Sequence, residues 1–372
     1  MSKQIIIFGC SHLGQQIYRQ IKERKADLRV CFLDNDTDKR KQEFCGEQVI
    51  SLEEAAANYR EAFYITASYR FCREMRDQLE EAGIAESNIF FPNLLVKRLE
   101  DELYEANEKI KRRMPRKQLK FAVDLAEHCN LNCQNCDHFA PLAREYFTDL
   151  KQYEADLKRI QELFGDNVAQ IDLEGGEPLL NPQSVDFIKV TYAYFPKALI
   201  NIFTNGILLP KMEEGFWDIC RQCGVVLEVT KYPIALDYDR IEHLAKEKGV
   251  VLHYFGGNVV KTSRHQPLDL NGGQDQWESF CSCFLANECI MLKKGRLYTC
   301  TVLPNIEHFN RYFAKDVEVS AKDSIDIYEA ESAQEILEFL CHPMPACRYC
   351  KVLERTGGHI WGTSKRAIEE WI

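Results

Sequence analysis

Short apolar runs alternate with amphipathic segments along the first part of the chain. The first five segments are Ile5–Phe8, Leu13–Lys25, Leu28–Leu33, Phe63–Thr66 and Phe71–Ala82. The first, third and fourth have the length and apolar content of buried strands, whereas the other two have helical spacing. Strands that alternate with helices predict a parallel sheet. Residues 1–95 are therefore predicted to form a small αβ domain.

A highly charged segment follows, over residues 96–117. Its apolar positions recur at the spacing of one helix face: Leu99, Leu103, Ala106 and Ile110. Pro115 cannot continue such a helix. This segment is predicted to be a helical linker.

A second series of strands and helices occupies residues 118–256. Its predicted strands are Phe121–Ala126, Val168–Leu173, Leu199–Phe203, Val225–Thr230 and Val250–Tyr254. Helical segments lie between them, for instance Tyr153–Phe164 and Ile241–Lys248. A full eight-unit barrel needs about 250 residues, so an α/β fold with a partial (β/α) barrel is predicted. The alternation fades after Gly256, and the turn-rich residues 257–372 are predicted to form a cysteine-rich third domain.

Charge and cysteine content limit the kinds of partner and of function that the chain could have. Acidic residues number 57 and basic residues 47, which disfavours nucleic acid or an anionic membrane as a partner. No apolar run approaches the ~18 residues of a spanning helix, and the first residues turn polar too soon for a signal peptide. A cytoplasmic location is expected. Sixteen cysteines in a reducing compartment indicate metal binding or burial as small hydrophobic residues.

Three cysteines stand directly after the first strand of the second series. Cys129, Cys133 and Cys136 have the spacing C-x3-C-x2-C, which can place three thiolates around one iron–sulfur cubane and leave one iron open. Loops at the carboxyl ends of parallel strands are where active sites form. A zinc knuckle is the alternative, with His128 or His138 as the fourth ligand.

Two further motifs end the next two strands. Glu174–Pro178 reads Glu-Gly-Gly-Glu-Pro, and its glycines let the backbone approach a ligand that carries an ammonium group. Phe203–Gly206 reads Phe-Thr-Asn-Gly, which can hydrogen-bond a ribose. Each motif alone is also typical of a turn.

In this order, and each at a strand end, the three motifs resemble the radical S-adenosylmethionine (radical SAM) superfamily over residues 119–256. The resemblance implies that Cys129, Cys133 and Cys136 hold a [4Fe–4S] cluster whose fourth iron is chelated by SAM. The SAM-binding residues that it implies are Gly175, Gly176 and Glu177 at the amine, Thr204 and Asn205 at the ribose, and Lys231 at the carboxylate. A solvated surface lysine is the alternative for Lys231. Reductive cleavage of SAM would then give a 5′-deoxyadenosyl radical that abstracts hydrogen from the substrate.

One position departs from the superfamily pattern. The residue before the third cysteine is commonly aromatic and lies near the adenine, but here it is Asn135. Phe139 is predicted to take its place.

The C-terminal cysteines resemble the twitch domain, the shorter relative of the SPASM domain. Cys283, Cys300, Cys347 and Cys350 are the ligands that this resemblance implies for one auxiliary [4Fe–4S] cluster, with Gly295 in the turn before Cys300. Cys281 and Cys289 are rivals for the first position. A zinc ion closed by four cysteines is the alternative, because it has the same ligand chemistry.

The other cysteines are predicted to be structural. Cys220 and Cys223 form a C-x2-C pair inside a helical segment with no second pair nearby, which is interpreted as incidental. The remaining ones are expected to be buried as small hydrophobic residues: Cys10, Cys31, Cys45, Cys72 and Cys341.

The N-terminal domain has the frame of a dinucleotide-binding fingerprint. Gly9 and Gly14 bracket the turn after the first strand, and Asp34 ends the second strand. Ser11 stands where a glycine would let the backbone approach a pyrophosphate. The domain resembles Rossmann-like modules of sugar-modifying enzymes. A docking or structural role is favoured over binding of a nucleotide or nucleotide-sugar, and an NAD-dependent redox role is a further alternative.

The resemblance implies a radical SAM enzyme that oxidises or epimerises a carbohydrate-like substrate: a sugar, an aminocyclitol or a nucleotide-sugar. A peptide maturase that modifies a ribosomal peptide is the main alternative, and a non-catalytic zinc-binding adaptor is another. An electron donor such as flavodoxin or ferredoxin is the expected protein partner. No catalytic residue can be assigned, although Tyr232, His253 and Asp172 lie on or near strand ends where they could face the cavity.

Overall fold

The computed structural model describes residues 4–24, 28–90 and 113–372. The chain divides into two compact units, Met1–Met114 and Pro115–Ile372. The apolar stripe of the predicted linker helix lies outside the described residues.

The first unit contains a five-stranded parallel sheet with the strand order β3-β2-β1-β4-β5. Its strands are β1 (Ile5–Phe8), β2 (Val30–Leu33), β3 (Val49–Ile50), β4 (Phe63–Thr66) and β5 (Ile89–Phe90). Its helices are α1 (His12–Arg24), α2 (Leu52–Asn58) and α3 (Cys72–Glu81). The predicted parallel αβ arrangement is confirmed. The sequence pattern missed β3 and β5, because a strand of two residues has no periodicity to detect.

Four of the five cysteines predicted to be buried are buried: Cys10, Cys31, Cys72 and Cys341. The prediction is wrong for Cys45, which is partly exposed. Cys45 has a left-handed backbone (φ 56°) and precedes Gly46 in a turn that joins Phe44 to Glu47. A residue at such a turn points away from the core.

The second unit is built on an eight-stranded sheet with the order β10-β9-β8-β7-β6-β12-β13-β14. Its first five strands are parallel: β6 (Leu119–Ala126), β7 (Val168–Gly175), β8 (Leu199–Thr204), β9 (Val226–Val229) and β10 (Val251–Tyr254). The helices between them are α4 (Leu150–Phe164), α5 (Ser184–Tyr194), α6 (Glu214–Gln222) and α7 (Tyr238–Lys248). The predicted partial barrel is confirmed, with each strand beside its neighbour in sequence.

Local signals set the ends of these helices. The Asp149 side chain accepts a hydrogen bond from the backbone N–H of Gln152 at 2.8 Å and caps α4. Gly249 follows α7 with a left-handed backbone (φ 69°), which glycine adopts without a steric penalty.

The same sheet continues into the cysteine-rich region. Strand β12 (Met291–Lys293) pairs in parallel with β6 at Met291 and Ala122, and antiparallel with β13 (Arg296–Tyr298), which pairs with β14 (Ile325–Asp326). Three further helices belong to this region: α8 (Gln276–Ser282), α9 (Val302–Phe313) and α10 (Ala333–Leu340). A separate two-stranded sheet joins β11 (Thr262–His265) to β15 (Thr356–Ile360). The region is therefore less turn-rich than its sequence suggested.

The two faces of the main sheet differ in polarity. Along β6 and β7, alternate residues such as Val123, Leu125 and Leu173 enter the hydrophobic core. The residues between them, including Asp172 and Glu174, line a cavity on the opposite face. This period-two alternation creates a polar-walled site inside the partial barrel. None of the helices in the described ranges has the length and apolarity to span a bilayer.

Candidate active site

The three-cysteine loop opens onto a cavity of about 480 Å³. Cys129, Cys133 and Cys136 all line it, and left-handed backbone at Asn132 (φ 54°) and Asn135 (φ 57°) turns the loop. Asparagine is among the residues that best tolerate this conformation. The loop thus presents three thiols to one enclosed space.

The electrostatics of the thiols fit a metal cluster. Burial, together with the neighbouring Glu177 and Cys133, raises the pKa of Cys129 to about 12. Burial also raises the pKa of Cys136, with added contributions from Cys133 and Cys129. Thiols that raise one another's pKa are close together, and a cation between them would offset the cost of ionisation.

The Gly-Gly pair of the second motif packs directly under this loop. The Gly176 N–H donates to the Ala126 carbonyl at 2.8 Å, and the Glu177 N–H donates to the His128 carbonyl at 3.1 Å. A Cβ atom on Gly176 would lie under 3.0 Å from the His128 carbonyl and the Cys129 nitrogen. The end of β7 can therefore approach the start of the cysteine loop only without a side chain.

We expect Gly176→Ala to disrupt the first cluster site, because the added methyl group meets backbone atoms that cannot rotate away. Reconstituted protein should lose about half its iron if two cubane sites are present, as measured by iron analysis per chain. Gly215→Ala in α6 is the matched control, since its Cβ would meet no atom within 4 Å. Equal iron in both variants would contradict this role for Gly176.

Glu177 lies beneath the cavity rather than on its wall. Its carboxylate accepts hydrogen bonds from Thr204 Oγ1 at 2.7 Å, the Leu179 N–H at 3.1 Å and the Asn205 N–H at 2.9 Å. Burial raises its pKa to about 7, although these donors lower it. Glu177 is thus placed to fasten the end of β8 to the second motif, and the predicted SAM contacts are left to Gly175 and Gly176, which line the cavity.

Thr204 and Asn205 line the cavity as well. Asn205 Nδ2 donates to Asn130 Oδ1 at 2.7 Å and lies 3.8 Å from Cys129 Sγ. Asn205 therefore bridges the third motif to the cysteine loop, a structural role that the sequence did not suggest. That Thr204 and Asn205 contact the ribose of SAM remains a prediction.

The lysine predicted at the SAM carboxylate is not in the cavity wall. Lys231 Nζ donates to Asn258 Oδ1 at 2.6 Å and lies 4.5 Å from the ring centroid of Tyr254. Lys261 lines the cavity instead. Burial and then Arg264 lower the pKa of Lys261, whereas Asp137 and Cys133 raise it. Lys261 was not predicted to line the cavity because it lies in an irregular segment. Its backbone N–H donates to the Lys231 carbonyl at 2.7 Å, which holds Lys261 near the strand end.

Phe139 was predicted to take the place of the missing aromatic residue near the adenine, but in the structure it does not. Phe139 is buried, with ring centroids 5.9 Å from Phe309 and 6.0 Å from Trp371. Asn135 donates to Ser263 Oγ at 2.9 Å. The aromatic residues that do line the cavity come from other elements: Phe121, Phe203, Tyr232, Phe255, Phe284 and Trp361.

Of the three residues that could face the cavity, two line its wall and one does not. Tyr232 and Asp172 line the cavity. Asp172 accepts hydrogen bonds from Gln170 and Asn201, each at 2.8 Å. His253 is an exposed residue beside Glu228 at 3.2 Å and is not part of the wall.

A titratable cluster occupies the wall near β6 and β7. His138 Nδ1 lies 3.1 Å from Asp124 and its Nε2 lies 3.9 Å from Glu174. Burial opposes a charge on His138, but Asp124 and Glu174 outweigh it and raise its pKa to about 9. Burial raises the pKa of Glu174 to about 8. Glu174 can therefore exchange a proton near neutral pH with a ligand in the cavity.

The raised pKa of Glu174 predicts a pH-dependent effect on stability. A buried carboxyl whose pKa rises from 4.5 to about 8 stabilises the fold when protonated, and that contribution is lost as pH rises through about 8. We expect the Tm of Glu174→Gln, relative to wild type, to rise between pH 5 and pH 8 in the metal-free protein. The exposed substitution Glu162→Gln is the control. A constant Tm difference would show that the pKa of Glu174 is not raised in the folded protein.

A second set of thiols converges in the C-terminal region. Cys300 and Cys347 are buried, which raises their pKa; the next contributions come from Cys283 and Cys350 at Cys300, and from Cys350 and Cys300 at Cys347. Burial raises the pKa of Cys350 to about 12, with Cys283 next in effect. The four cysteines that the twitch resemblance implies therefore lie together, and a cluster held there would offset the same cost of burial.

The rival cysteines occupy other places. Cys281 lies in the last turn of α8 and is buried, whereas Cys289 lines the first cavity, where burial and then Glu174 raise its pKa. Cys220 lies in the hydrophobic core on α6, with Cys223 at the end of the same helix. The structural interpretation of that pair stays a prediction.

The first cavity is also lined by sequence neighbours of the second cysteine set. Phe284 and Leu285, which follow Cys283, line the same space as Cys129 and its partners, and so does Thr301, which follows Cys300. Thr301 Oγ1 lies 3.3 Å from His138 Nε2. A small molecule in this cavity would lie between the two proposed cluster sites.

In the N-terminal unit, the loop of the dinucleotide-binding fingerprint is held by hydrogen bonds to residues of the same unit. Asp34 Oδ2 accepts the Cys10 N–H at 2.7 Å and lies 3.2 Å from Lys39 Nζ. Ser11 Oγ donates to the Ala67 carbonyl at 3.1 Å. The carboxylate that would meet a ribose in a dinucleotide site is thus engaged by the loop, which favours the docking or structural role.

Two family models match parts of the chain. Residues 1–90 match the C2185-like N-terminal family, and residues 122–232 match the 4Fe-4S single cluster domain. The second match spans the cysteine loop and the Gly-Gly-Glu and Thr-Asn motifs.

Curated relatives match a segment of similar length. A GTP 3′,8-cyclase of Aliarcobacter butzleri is 32% identical over 96 residues, which cover 26% of this chain and 30% of the cyclase. Molybdenum cofactor biosynthesis protein 1 of Bos taurus is 35% identical over 99 residues, 25% of this chain and 15% of that protein. The chain thus spans under a third of the length of these relatives.

Among solved structures, BtrN in complex with AdoMet and 2-DOIA has a TM-score of 0.41 and 17% identity, over 64% of this chain and 94% of BtrN. Streptococcus suis SuiB bound to the precursor peptide SuiA has a TM-score of 0.30 and 19% identity, over 50% of this chain and 45% of SuiB. The family match, the three-cysteine loop and the two strand-end motifs coincide on one segment. Residues 122–232 therefore match a 4Fe-4S single cluster domain, in agreement with the cluster ligands that the radical SAM resemblance implies.

Proposed function

We propose that this protein is a radical SAM oxidoreductase that oxidises a small carbohydrate-like molecule. The observation that carries the proposal is a single cavity lined by the three-cysteine loop and by residues next to Cys283 and Cys300. A substrate there would face the hydrogen-abstracting site on one side and an electron-accepting site on the other. Its volume of about 480 Å³ lies within the range of small-molecule sites.

Each cofactor has its proposed ligands. Cys129, Cys133 and Cys136 would hold the first cluster, with Gly175, Gly176, Thr204 and Asn205 at SAM. When bound, this pair of cofactors supplies one-electron cleavage of SAM to a radical that removes a hydrogen atom from an unactivated C–H bond. Cys283, Cys300, Cys347 and Cys350 would hold an auxiliary [4Fe–4S] cluster, which supplies an electron acceptor.

Chain residues would supply the proton chemistry. Oxidation of a carbinol to a carbonyl releases a hydrogen atom, a proton and an electron, and Glu174 is the carboxylate placed to take the proton from the hydroxyl group. Lys120 and Asp172 add polar groups to the same wall, which suits a substrate rich in hydroxyl groups. The aromatic side chains of the wall exclude water from the reacting centre.

Epimerisation is the second candidate, and Cys289 favours it. Its half-buried thiol lines the cavity and stays protonated, because desolvation raises its pKa. Such a thiol could return a hydrogen atom to a substrate radical from another side of the cavity. A peptide maturase is the alternative that the experiment below must distinguish.

The partners follow from the same chemistry. A one-electron donor such as flavodoxin or ferredoxin would reduce the first cluster. A reducing, cytoplasmic compartment agrees with sixteen cysteines that are all free thiols in the structure.

The test is transfer of a label from substrate to SAM. Reconstituted protein is incubated anaerobically with SAM, a reductant and perdeuterated candidates: a neutral sugar, an amino sugar, an aminocyclitol, a nucleotide-sugar and a mixed peptide library. The proposal predicts deuterium in 5′-deoxyadenosine from one carbohydrate class, with a carbonyl or epimer as the product. Label from peptides alone would overturn it. Cys289→Ala separates the two candidates, because it should abolish epimerisation and leave oxidation in place.

A further inference from the structure

The C-terminal tail, residues 361–371, packs against the three-cysteine loop. The Gln134 N–H donates to the Gly362 carbonyl at 2.8 Å, and the Ser364 N–H donates to the Asn132 carbonyl at 2.8 Å. Between these bonds, Cys133 and Thr363 form an antiparallel bridge. The tail therefore holds the backbone on both sides of Cys133, the middle ligand of the proposed first cluster.

This pairing carries Trp361 into the cavity wall beside Tyr232. Their ring centroids are 5.6 Å apart, and both residues line the cavity together with Cys133. The indole nitrogen of Trp361 is buried and makes no hydrogen bond of ordinary geometry within the described ranges. Leaving a buried N–H group without a good acceptor is costly, so an acceptor at this place is expected in the working protein.

The Cys133 sulfur is the acceptor suited to that N–H group. Trp361 and Tyr232 are the side-chain donors that approach the Cys133 sulfur. A thiol is a weak acceptor, whereas a thiolate bound to iron carries negative charge and accepts a stronger, charge-assisted bond. Both donors are thus positioned for the metal-bound form of this residue.

We propose that Trp361 and Tyr232 donate hydrogen bonds to the Cys133 thiolate of the first cluster and raise its reduction potential. The inference rests on the proposed function, since it requires a cluster at that site. Reduction adds negative charge to the cluster and its sulfurs, and donors to a ligand sulfur stabilise that charge. Both residues are positioning residues, because they act through the cluster ligand.

The test is a redox titration of the first cluster by electron paramagnetic resonance, in the reconstituted full chain without SAM. Trp361→Phe keeps the ring and removes the N–H group, and Tyr232→Phe removes the hydroxyl group. Each variant should show a lower midpoint potential. At the wild-type midpoint, the ratio of reduced to oxidised cluster should fall several-fold, where tenfold equals about 59 mV for a one-electron couple.

Trp371→Phe is the matched control on the same tail. Its indole N–H donates to the Cys136 carbonyl at 3.2 Å, not to a sulfur, so the midpoint should stay at the wild-type value. The auxiliary cluster gives an internal reference that neither variant should move.

The outcomes separate this inference from the proposed function. Wild-type protein that binds no cluster defeats the proposed function itself. Wild type, Trp361→Phe and Tyr232→Phe that titrate at one potential overturn the inference alone. A shift that appears only after SAM is added also overturns it, because the donors would then act on SAM and not on the sulfur. If Trp361→Phe loads no cluster, the Tyr232→Phe result decides.

Discussion

Simultaneous replacement of Cys129, Cys133 and Cys136 by alanine is expected to remove the first cluster and leave the second. Wild-type protein reconstituted with iron and sulfide should hold about eight irons per chain, and the triple variant about four. The reason is that the loop supplies every protein ligand of the first site, whereas the other four thiols lie together outside the wall of that cavity. Iron and sulfide analysis of both proteins measures the difference.

The pair Cys220→Ala and Cys223→Ala is the control for the triple variant. These cysteines have the C-x2-C spacing but lie on α6, with Cys220 in the hydrophobic core. Their replacement should leave the iron content at the wild-type value. A triple variant that keeps all its iron would show that the three-cysteine loop is not a cluster site.

Replacement of Cys347 and Cys350 by alanine is expected to have the complementary effect. The variant should hold about four irons and still cleave SAM, because the first site keeps its ligands. Oxidation of substrate should fail, since the electron left on the substrate has no acceptor. Comparison of 5′-deoxyadenosine with oxidised product measures this loss of coupling.

The same variant distinguishes iron from zinc in the second site. If wild-type protein holds about four irons together with one zinc, and the variant loses only zinc, the C-terminal site is structural. The electron-accepting role would then be withdrawn, although the first site would stand. Cys281→Ala is the matched control, because that cysteine belongs to the last turn of α8 rather than to the group of four.

Much of the fold followed from hydrophobic periodicity. Strands such as Phe63–Thr66 were predicted with the bounds that the structure has, because a continuous apolar run buried on both faces has clear limits. Strands β12 to β14 were not predicted, since each has only two or three residues. Their place beside β6 depends on pairing between distant segments, and local sequence does not encode that pairing.

The candidate site was predictable where a motif is contiguous in sequence. The cysteine loop and the Gly-Gly pair are local, and backbone packing explains the spacing of both. Glu177, Lys231 and Phe139 were placed by their positions near motifs, yet hydrogen bonds and ring packing turn each away from the cavity wall. Lys261 and Trp361 reach the wall from irregular segments far along the chain, so no spacing rule could find them.

The most direct test of the central claim is reductive cleavage of SAM. The reconstituted full chain is reduced with dithionite under anaerobic conditions in the presence of SAM, and 5′-deoxyadenosine and methionine are quantified against the triple-alanine variant. The account predicts both products from wild-type protein and neither from the variant. Wild-type protein that holds its iron but returns SAM intact would contradict the assignment of a radical SAM enzyme.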